Sequence, residues 1–263
     1  MNRTIPGTVY QLGEHRLLCA DSKQRTAVRR LLGSEKVQHA FAGPPYFNQR
    51  EYSHWSTYEL YLRDMLRVAK NCYEVIQKGG VLVWNIANGC STHHAHVAHH
   101  ANLLERAGFR FLDMIIWVKT GPNYNIQRNA HIKRNRRYYP ALQWEALLVY
   151  QKKGPLAEMT KEAAEYMWNF HADVWEIPAV TNQIKIHGHP AVCPVEIPYR
   201  TILAYTGENA SLFEPFGGSG TTLIAAEKSG RRCFLIEKNA AYCDVIIKRW
   251  EEATGNKAKR LGI

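Results

Sequence analysis

Short apolar runs alternate with longer amphipathic stretches along most of this 263-residue chain. Val37 to Ala42, Val81 to Ile86, Phe109 to Val118, Glu145 to Gln151 and Cys233 to Ile236 read as strands. Thr8 to Leu12 and His15 to Cys19 flank Gly13-Glu14 and predict a hairpin. Helices are expected from Asp21-Ser22 to near Leu32, Tyr58 to Gln77 with Gly79-Gly80 as its stop, Thr92 to Ala107, Val195 to Tyr205 and Asn239 to Trp250. Strand and helix alternating in this way predict an α/β fold: a Rossmann-like, mostly parallel twisted sheet with helices on both faces. The pattern breaks twice. Residues 119–144 read as a turn-rich basic loop, and 155–186 as a helical and irregular module appended to the sheet.

The clearest strand–loop–helix junction is Ser211-Leu212-Phe213-Glu214-Pro215-Phe216-Gly217-Gly218-Ser219-Gly220-Thr221-Thr222. Glycines allow a sharp turn and close approach of a ligand, and the helix start that follows favours an anionic group. One strand later Glu237 stands where an acid can accept from both ribose hydroxyls. A dinucleotide fingerprint would require a third glycine, and that position is Leu223. Taken alone, the loop fits a nucleotide-type site and an ordinary α/β glycine turn equally well.

At the end of the Val37–Ala42 strand lies Gly43-Pro44-Pro45-Tyr46. Two prolines remove two backbone donors and stiffen the loop, leaving aimed carbonyl oxygens beside an aromatic ring. Such a loop can accept hydrogen bonds from an amino group and stack on a planar base; in isolation Pro-Pro more commonly marks a simple turn. Because ligand loops gather at the carboxyl ends of parallel strands, Gly43–Tyr46, Gly217–Gly220 and Glu237 are expected on one sheet edge.

Charge adds a partner class. The formal net charge is +11, which suits a polyanion. Arg128, Lys133, Arg134, Arg136 and Arg137, with His131, precede Tyr138 and Tyr139, a pairing that suits a nucleic-acid backbone and an unstacked base; a solvated basic loop is the equal alternative. His93, His94, His96, His99 and His100 cluster on one expected helix, but no acid or cysteine accompanies them, so a solvated polar face is expected rather than a metal site. The six cysteines show no C-x-x-C spacing and read as free, mostly buried thiols. No apolar run is long enough to span a membrane, and a cytoplasmic location is the default expectation.

Taken in order, these motifs resemble the beta class of S-adenosylmethionine-dependent DNA amino-methyltransferases, in which the catalytic tetrapeptide precedes the cofactor loop, a circularly permuted motif order. Glu214 to Thr222 is similar to the family's D-P-F-x-G-S-G-T-T. Gly188-His189-Pro190-Ala191 with Pro194, Trp117-Val118-Lys119, Glu145 to Val149, and Leu12 to Asp21 resemble further family segments, so that the likeness spans almost the whole chain, weakest at 155–186. The resemblance implies one methyltransferase domain over 1–263, with 155–186 as candidate target-recognition module. It implies S-adenosylmethionine held by Asp21 at the adenine end, Glu237 at the ribose, and Phe216, Gly217, Gly218, Ser219, Gly220, Thr221 and Thr222 toward the methionine end. Gly43, Pro44, Pro45 and Tyr46 form the implied catalytic loop. DNA is the implied partner, a homodimer and a cognate restriction endonuclease being further partners of such enzymes.

One departure is chemical. The family tetrapeptide begins with Asp or Ser, and here it begins with Gly43. The residues after it, Phe47 to Tyr52, look more like those of cytosine N4 enzymes than of adenine N6 enzymes. The expectation is amino methylation of a flipped base, cytosine N4 before adenine N6, with a catalytically impaired DNA- and cofactor-binding relative as the alternative. A nucleotide-dependent oxidoreductase is disfavoured by Leu223 and by the Pro-Pro-Tyr loop.

Overall fold

The computed structural model of the protein describes residues 4–48, 54–88, 93–120, 142–180 and 192–261. Among these, ten strands form one sheet: β1 Val9–Leu12, β2 His15–Cys19, β3 Val37–Ala42, β4 Ile76–Ile86, β5 Arg110–Thr120, β6 Trp144–Gln151, β7 Val174–Pro178, β8 Ser211–Glu214, β9 Arg232–Glu237 and β10 Lys259–Arg260. The spatial order is β10-β1-β2-β9-β8-β3-β4-β6-β5-β7. The five strands β2, β9, β8, β3 and β4 run parallel, while β6 reverses direction between β4 and β5. The expected mostly parallel sheet is therefore present, and its continuous parallel part holds every strand that carries an expected cofactor or catalytic motif.

Helices cover both faces. On one side α1 (Arg25–Leu32), α2 (Tyr58–Val75) and α3 (His96–Arg106) close over Ala40, Ala42, Leu82, Trp84 and Ile86. The sequence of α2 explains its seat. Thr57 caps it by accepting from the Leu60 N–H at 3.2 Å, and Tyr61, Met65, Val68, Ala69 and Cys72 recur at helical spacing along one buried stripe. On the other side α5 (Glu196–Tyr205), α6 (Thr221–Lys228) and α7 (Ala240–Thr254) cover the alternate strand positions, with α4 (Lys161–Trp168) stacked on α5. Leu17, Leu212 and Leu235 pack under α6 and α7, and Phe41, Val83, Leu147 and Trp117 pack near Ile197 of α5. Period-two alternation along each strand thus feeds two cores.

Three expectations differ. Gly79-Gly80 does not cap α2: the helix ends at Val75, and both glycines lie inside β4. They are required by crowding. A Cβ on Gly79 would sit 1.7 Å from the Pro155 carbonyl oxygen, and one on Gly80 2.6 Å from that of Gln38. The five histidines form a solvated face only in part, with His93 and His99 exposed. His96 and His100 are buried, because Tyr58, Tyr61 and Trp84 offer them hydrogen bonds. Finally, the described part of 155–186, expected as helical and irregular, also supplies a strand. Its strand β7 pairs in parallel with β5, from Ile116↔Val174 to Thr120↔Pro178, and so extends the sheet by one strand.

Candidate active site

The parallel strands deliver the expected residues to one edge in a fixed order. β2 leads to Asp21, β9 ends in Glu237, β8 leads into the glycine loop, β3 leads to Gly43, and β4 brings up Asn85. Cys19 is level with Glu237, and the Ala20 N–H donates to the Glu237 carbonyl at 3.0 Å. Ala42 is level with Trp84. The Phe216 ring meets the buried Trp84 indole edge-on, with centroids 6.0 Å apart, and Tyr46 packs against the same core. Residues from opposite ends of the chain are thereby neighbours.

The glycine loop is built around two carboxylates. Glu214 is buried; it accepts from the Phe216 N–H at 2.9 Å and from the Thr222 hydroxyl at 2.7 Å. Burial pushes its pKa up to about 8, because few charges offset the lost hydration. Glu237 accepts from the Gly218 N–H at 2.8 Å and from the Asn239 N–H at 2.7 Å, and burial raises its pKa as well. Gly218 and Gly220 adopt φ of +54° and +79°, left-handed conformations that favour glycine. A Cβ at Gly217 would press on Ile246 at 3.1 Å and on the Glu237 Cβ at 3.2 Å. α6 starts from Gly220 with no side-chain cap, so its first N–H groups face the loop.

Asp21 stands two strands away. Its Oδ1 accepts from the Lys23 N–H at 3.0 Å, while Lys23 and Lys238 ammonium groups lie 3.6 and 3.5 Å from Oδ2. A carboxylate at β9, a second at β2, a cradle in which a Cβ at Gly217 or Gly220 would crowd Ile246, and a bare helix start fit the ribose, adenine and methionine parts of the cofactor the sequence resemblance implies.

The Gly43–Tyr46 loop is arranged differently from its neighbours. Gly43 is exposed, and a Cβ there would have nothing within 4 Å. Pro44 is buried, and Pro45 and Tyr46 are half-buried. The Tyr46 hydroxyl lies between the Ala87 backbone and the Glu145 carboxylate, and burial raises its pKa well above the usual phenol range. Glu145 also receives Asn85 Nδ2 at 2.6 Å and Lys119 Nζ at 2.5 Å.

Sequence reading missed Asn85 and Arg249, and quoted Lys119 and Glu145 only as strand residues. The polar cluster draws on three separate strands, so no local motif announces it. Arg249, on α7, donates to the Ser219 carbonyl at 3.1 Å and lies 3.2 Å from the Thr221 hydroxyl. Its only signal in the sequence is a basic residue on the last helix. The DNA-contact candidates Arg128, Lys133, Arg134, Arg136 and Arg137 lie outside the described residues, as do Gly188 to Ala191. Among the described residues no helix is long and apolar enough to cross a membrane.

A family model described as DNA methylase, covering N6 and N4 amino-methyltransferases, matches residues 37–249. The chain belongs to this family. Its motif order is that of the beta class. It is 29% identical over 228 residues to the type II beta methyltransferase M.BslI of Bacillus sp. (strain NEB-606), a match that covers 78% of this chain and 24% of that protein. The chain thus spans about a quarter of that relative's length. It is 23% identical over 257 residues to the orphan methyltransferase M.BamHII of Bacillus amyloliquefaciens, covering 83% of this chain and 90% of that one. The structure of a putative DNA modification methylase from Thermus thermophilus, complexed with S-adenosyl-L-methionine, shares the fold with a TM-score of 0.68, 22% identity and coverage of 93% and 96%.

Proposed function

We propose that the chain is a site-specific DNA methyltransferase that uses S-adenosylmethionine to methylate an exocyclic amino group, cytosine N4 in preference to adenine N6. The observation that carries this reading is adjacency: Gly43–Tyr46 and Phe216–Thr222 leave neighbouring parallel strands, β3 and β8, at the same edge. When bound, the cofactor supplies an electrophilic methyl group. Asp21, Glu237, the glycine loop and the start of α6 hold it there.

The chain's own task is then to prepare the amino nitrogen. That nitrogen is a poor nucleophile because its lone pair is delocalised into the ring. Acceptors fixed at its hydrogens favour localising the lone pair and stabilise the positive charge that develops. Pro44 offers its carbonyl for this purpose, with the Gly43 carbonyl a weaker second. Tyr46 presents a ring for the flipped base. The basic segment from Arg128 to Arg137 contacts DNA phosphates, and 155–186 carries target recognition. The preference for cytosine rests on Phe47 to Tyr52, of which Gln49 to Tyr52 lie outside the described residues. The single domain, a homodimer, a cognate endonuclease and a cytoplasmic location belong to the same reading.

A second reading is favoured by Gly43 itself. Without a side chain there, the protein would bind cofactor and DNA but transfer methyl groups slowly. Incubation with labelled S-adenosylmethionine and mixed-sequence DNA, followed by nucleoside analysis, separates the two. Labelled N4-methylcytosine supports the first; cofactor and DNA binding without labelled product supports the second.

A further inference from the structure

Gly43 leaves a specific deficit. A flipped base would present an amino group with two hydrogens to a loop that has lost its side-chain acceptor. The neighbouring strand position holds the residue that can make up the loss. Ala42 is level with Trp84, the last pair of the parallel β3–β4 ladder, and the same register carried one step outward sets Gly43 beside Asn85. Strands in such a ladder are about 4.8 Å apart. Phe41 and Val83, two positions inward on each strand, both face the α5 side. By alternation the side chain of Asn85 and the missing side chain of residue 43 belong to that same face.

Asn85 is only 7% exposed, and its Oδ1 is buried with no hydrogen-bond partner among the described residues. Its amide is not free to turn. Nδ2 donates to Glu145 Oε2 at 2.6 Å, and a flip would press Oδ1 against that carboxylate. Glu145 is held in turn by Lys119 at 2.5 Å, whose ammonium also sits 5.1 Å from the centre of the Trp117 ring. The carboxylate and the ammonium are both largely shielded from water, which strengthens their grip. A buried acceptor without a partner, with its donor end clamped, is a costly arrangement that a donor brought against it would relieve.

We propose that Asn85 Oδ1 is the side-chain acceptor for the target amino group in this chain, replacing the function absent at Gly43, and that Glu145 and Lys119 are positioning residues that aim it. The proposal rests on the amino-methyltransferase reading given above. Asn85 accepts a hydrogen bond and does not take the proton, since an amide oxygen is too weak a base. As the nitrogen–methyl bond forms, the carbon–sulfur bond breaks with its electron pair going to sulfur, and one amino proton leaves to water.

The test compares the wild-type protein, Asn85→Ala, Gly43→Ser and the double variant Gly43→Ser/Asn85→Ala. Two measurements are made. The first is binding, without cofactor, of single-stranded mixed-sequence DNA against the same strand with cytosine replaced throughout by uracil, and against one with adenine replaced by hypoxanthine. The second is single-turnover methyl transfer, with cofactor affinity measured alongside. Wild type is expected to prefer an amino-bearing strand severalfold, and Asn85→Ala to bind amino and oxo strands alike. Methyl transfer should fall about a hundredfold in Asn85→Ala, the usual cost of one lost preorganised partner, with cofactor affinity unchanged. In the Gly43→Ser background the same change should cost less than about tenfold, because the serine supplies a second aimed acceptor. Should Asn85→Ala fail to fold, Asn85→Ser, whose shorter side chain withdraws the acceptor from the position of Oδ1, is measured in the same way, and the same outcomes are expected.

Equal losses in both backgrounds, with amino-over-oxo preference retained, would show that Asn85 only supports the fold. Transfer by Gly43→Ser but none by wild type would also overturn the proposal while leaving the amino-methyltransferase reading intact. If no variant methylates any DNA, that reading falls, and the binding preference alone then decides whether Asn85 receives an amino group.

Discussion

Thr222 Oγ1 donates to Glu214 Oε2 across 2.7 Å, so the last residue of β8 and the second residue of α6 are tied across the glycine loop. The tie uses a buried carboxylate whose pKa is raised to about 8. For an acid with a raised folded-state pKa, the native state holds the proton more tightly than the unfolded chain. Its stabilising effect is therefore present below the unfolded value near 4.5 and is lost as pH rises through 8. Glu214→Gln, whose amide oxygen can accept from the Phe216 N–H while its amide nitrogen donates to the Thr222 hydroxyl, removes the titration and should raise Tm at pH 8.5 by several degrees and leave it nearly unchanged at pH 5. Calorimetric melts across that range check the difference; a substitution that lowers Tm at pH 8.5 would mean the ionised form is the preferred one.

The histidines of the interior act with the opposite slope. Trp84 Nε1 donates to His100 Nδ1 at 2.8 Å, which makes that nitrogen an acceptor and keeps the ring neutral. Burial lowers the pKa of both His100 and His39 to about 3. A depressed folded-state value means stability is complete above 6.5 and drains away as pH falls toward 3. At pH 5 each ring should cost roughly 2 kcal/mol relative to neutral pH. Urea titrations at pH 7 and pH 5 should show this loss, and His100→Gln should reduce its size.

Gly218→Val should weaken cofactor binding strongly while the fold is retained. The position needs a left-handed backbone at φ +54°, and its N–H is spent on Glu237. A β-branched residue cannot adopt that conformation without strain. Isothermal titration with S-adenosylmethionine measures the effect, and unchanged affinity would remove the glycine loop from the cofactor site.

Neutralising Arg134, Arg136 and Arg137 together should weaken DNA binding and flatten its dependence on salt, because fewer counterions are released. The slope of log affinity against log salt is the decisive quantity. An unaltered slope would leave this segment a solvated loop.

Gly43→Ser and Gly43→Asp ask which base is the substrate. The space beyond Gly43 is open, so either side chain can enter without displacing a neighbour. Gly43→Ser should raise single-turnover methylation of cytosine, with cofactor affinity little changed. A larger gain from Gly43→Asp, with labelled N6-methyladenine as product, would reassign the target to adenine.

The strands were the most legible part of the chain. β3 was expected at Val37 to Ala42 and lies there, since a short apolar run ending in Gly-Pro-Pro has little freedom in register. Gly79-Gly80 was misread because a glycine pair after a helix usually caps it; its real reasons are the backbone of Pro155, far downstream, against Gly79 and that of Gln38, on β3, against Gly80. The histidine helix was misread for a related cause. Tyr58, Tyr61 and Trp84 turn polar rings into core, and they come from other elements. The two glycine- and proline-rich loops could be read because each is a contiguous string. Asn85, Lys119 and Glu145 could not, because they meet only when β4, β5 and β6 are already paired.

The sheet order carries a consequence for how the protein is made. β8 and β9 lie between β2 and β3, with Ala40 paired to Phe213 and Leu17 to Leu235. A ribosome releases β2 and β3 long before the two strands that join them. Until then the nascent chain has two separate sheet fragments with facing open edges, and closing them requires contacts between residues far apart in the chain. The cofactor loop arrives on the very strand–helix–strand unit that seals this gap. The glycine loop is thus incomplete as a site until β8 and β9 have joined the sheet, and a ligand bound there would trap the closed sheet against the exposed edges that otherwise invite aggregation.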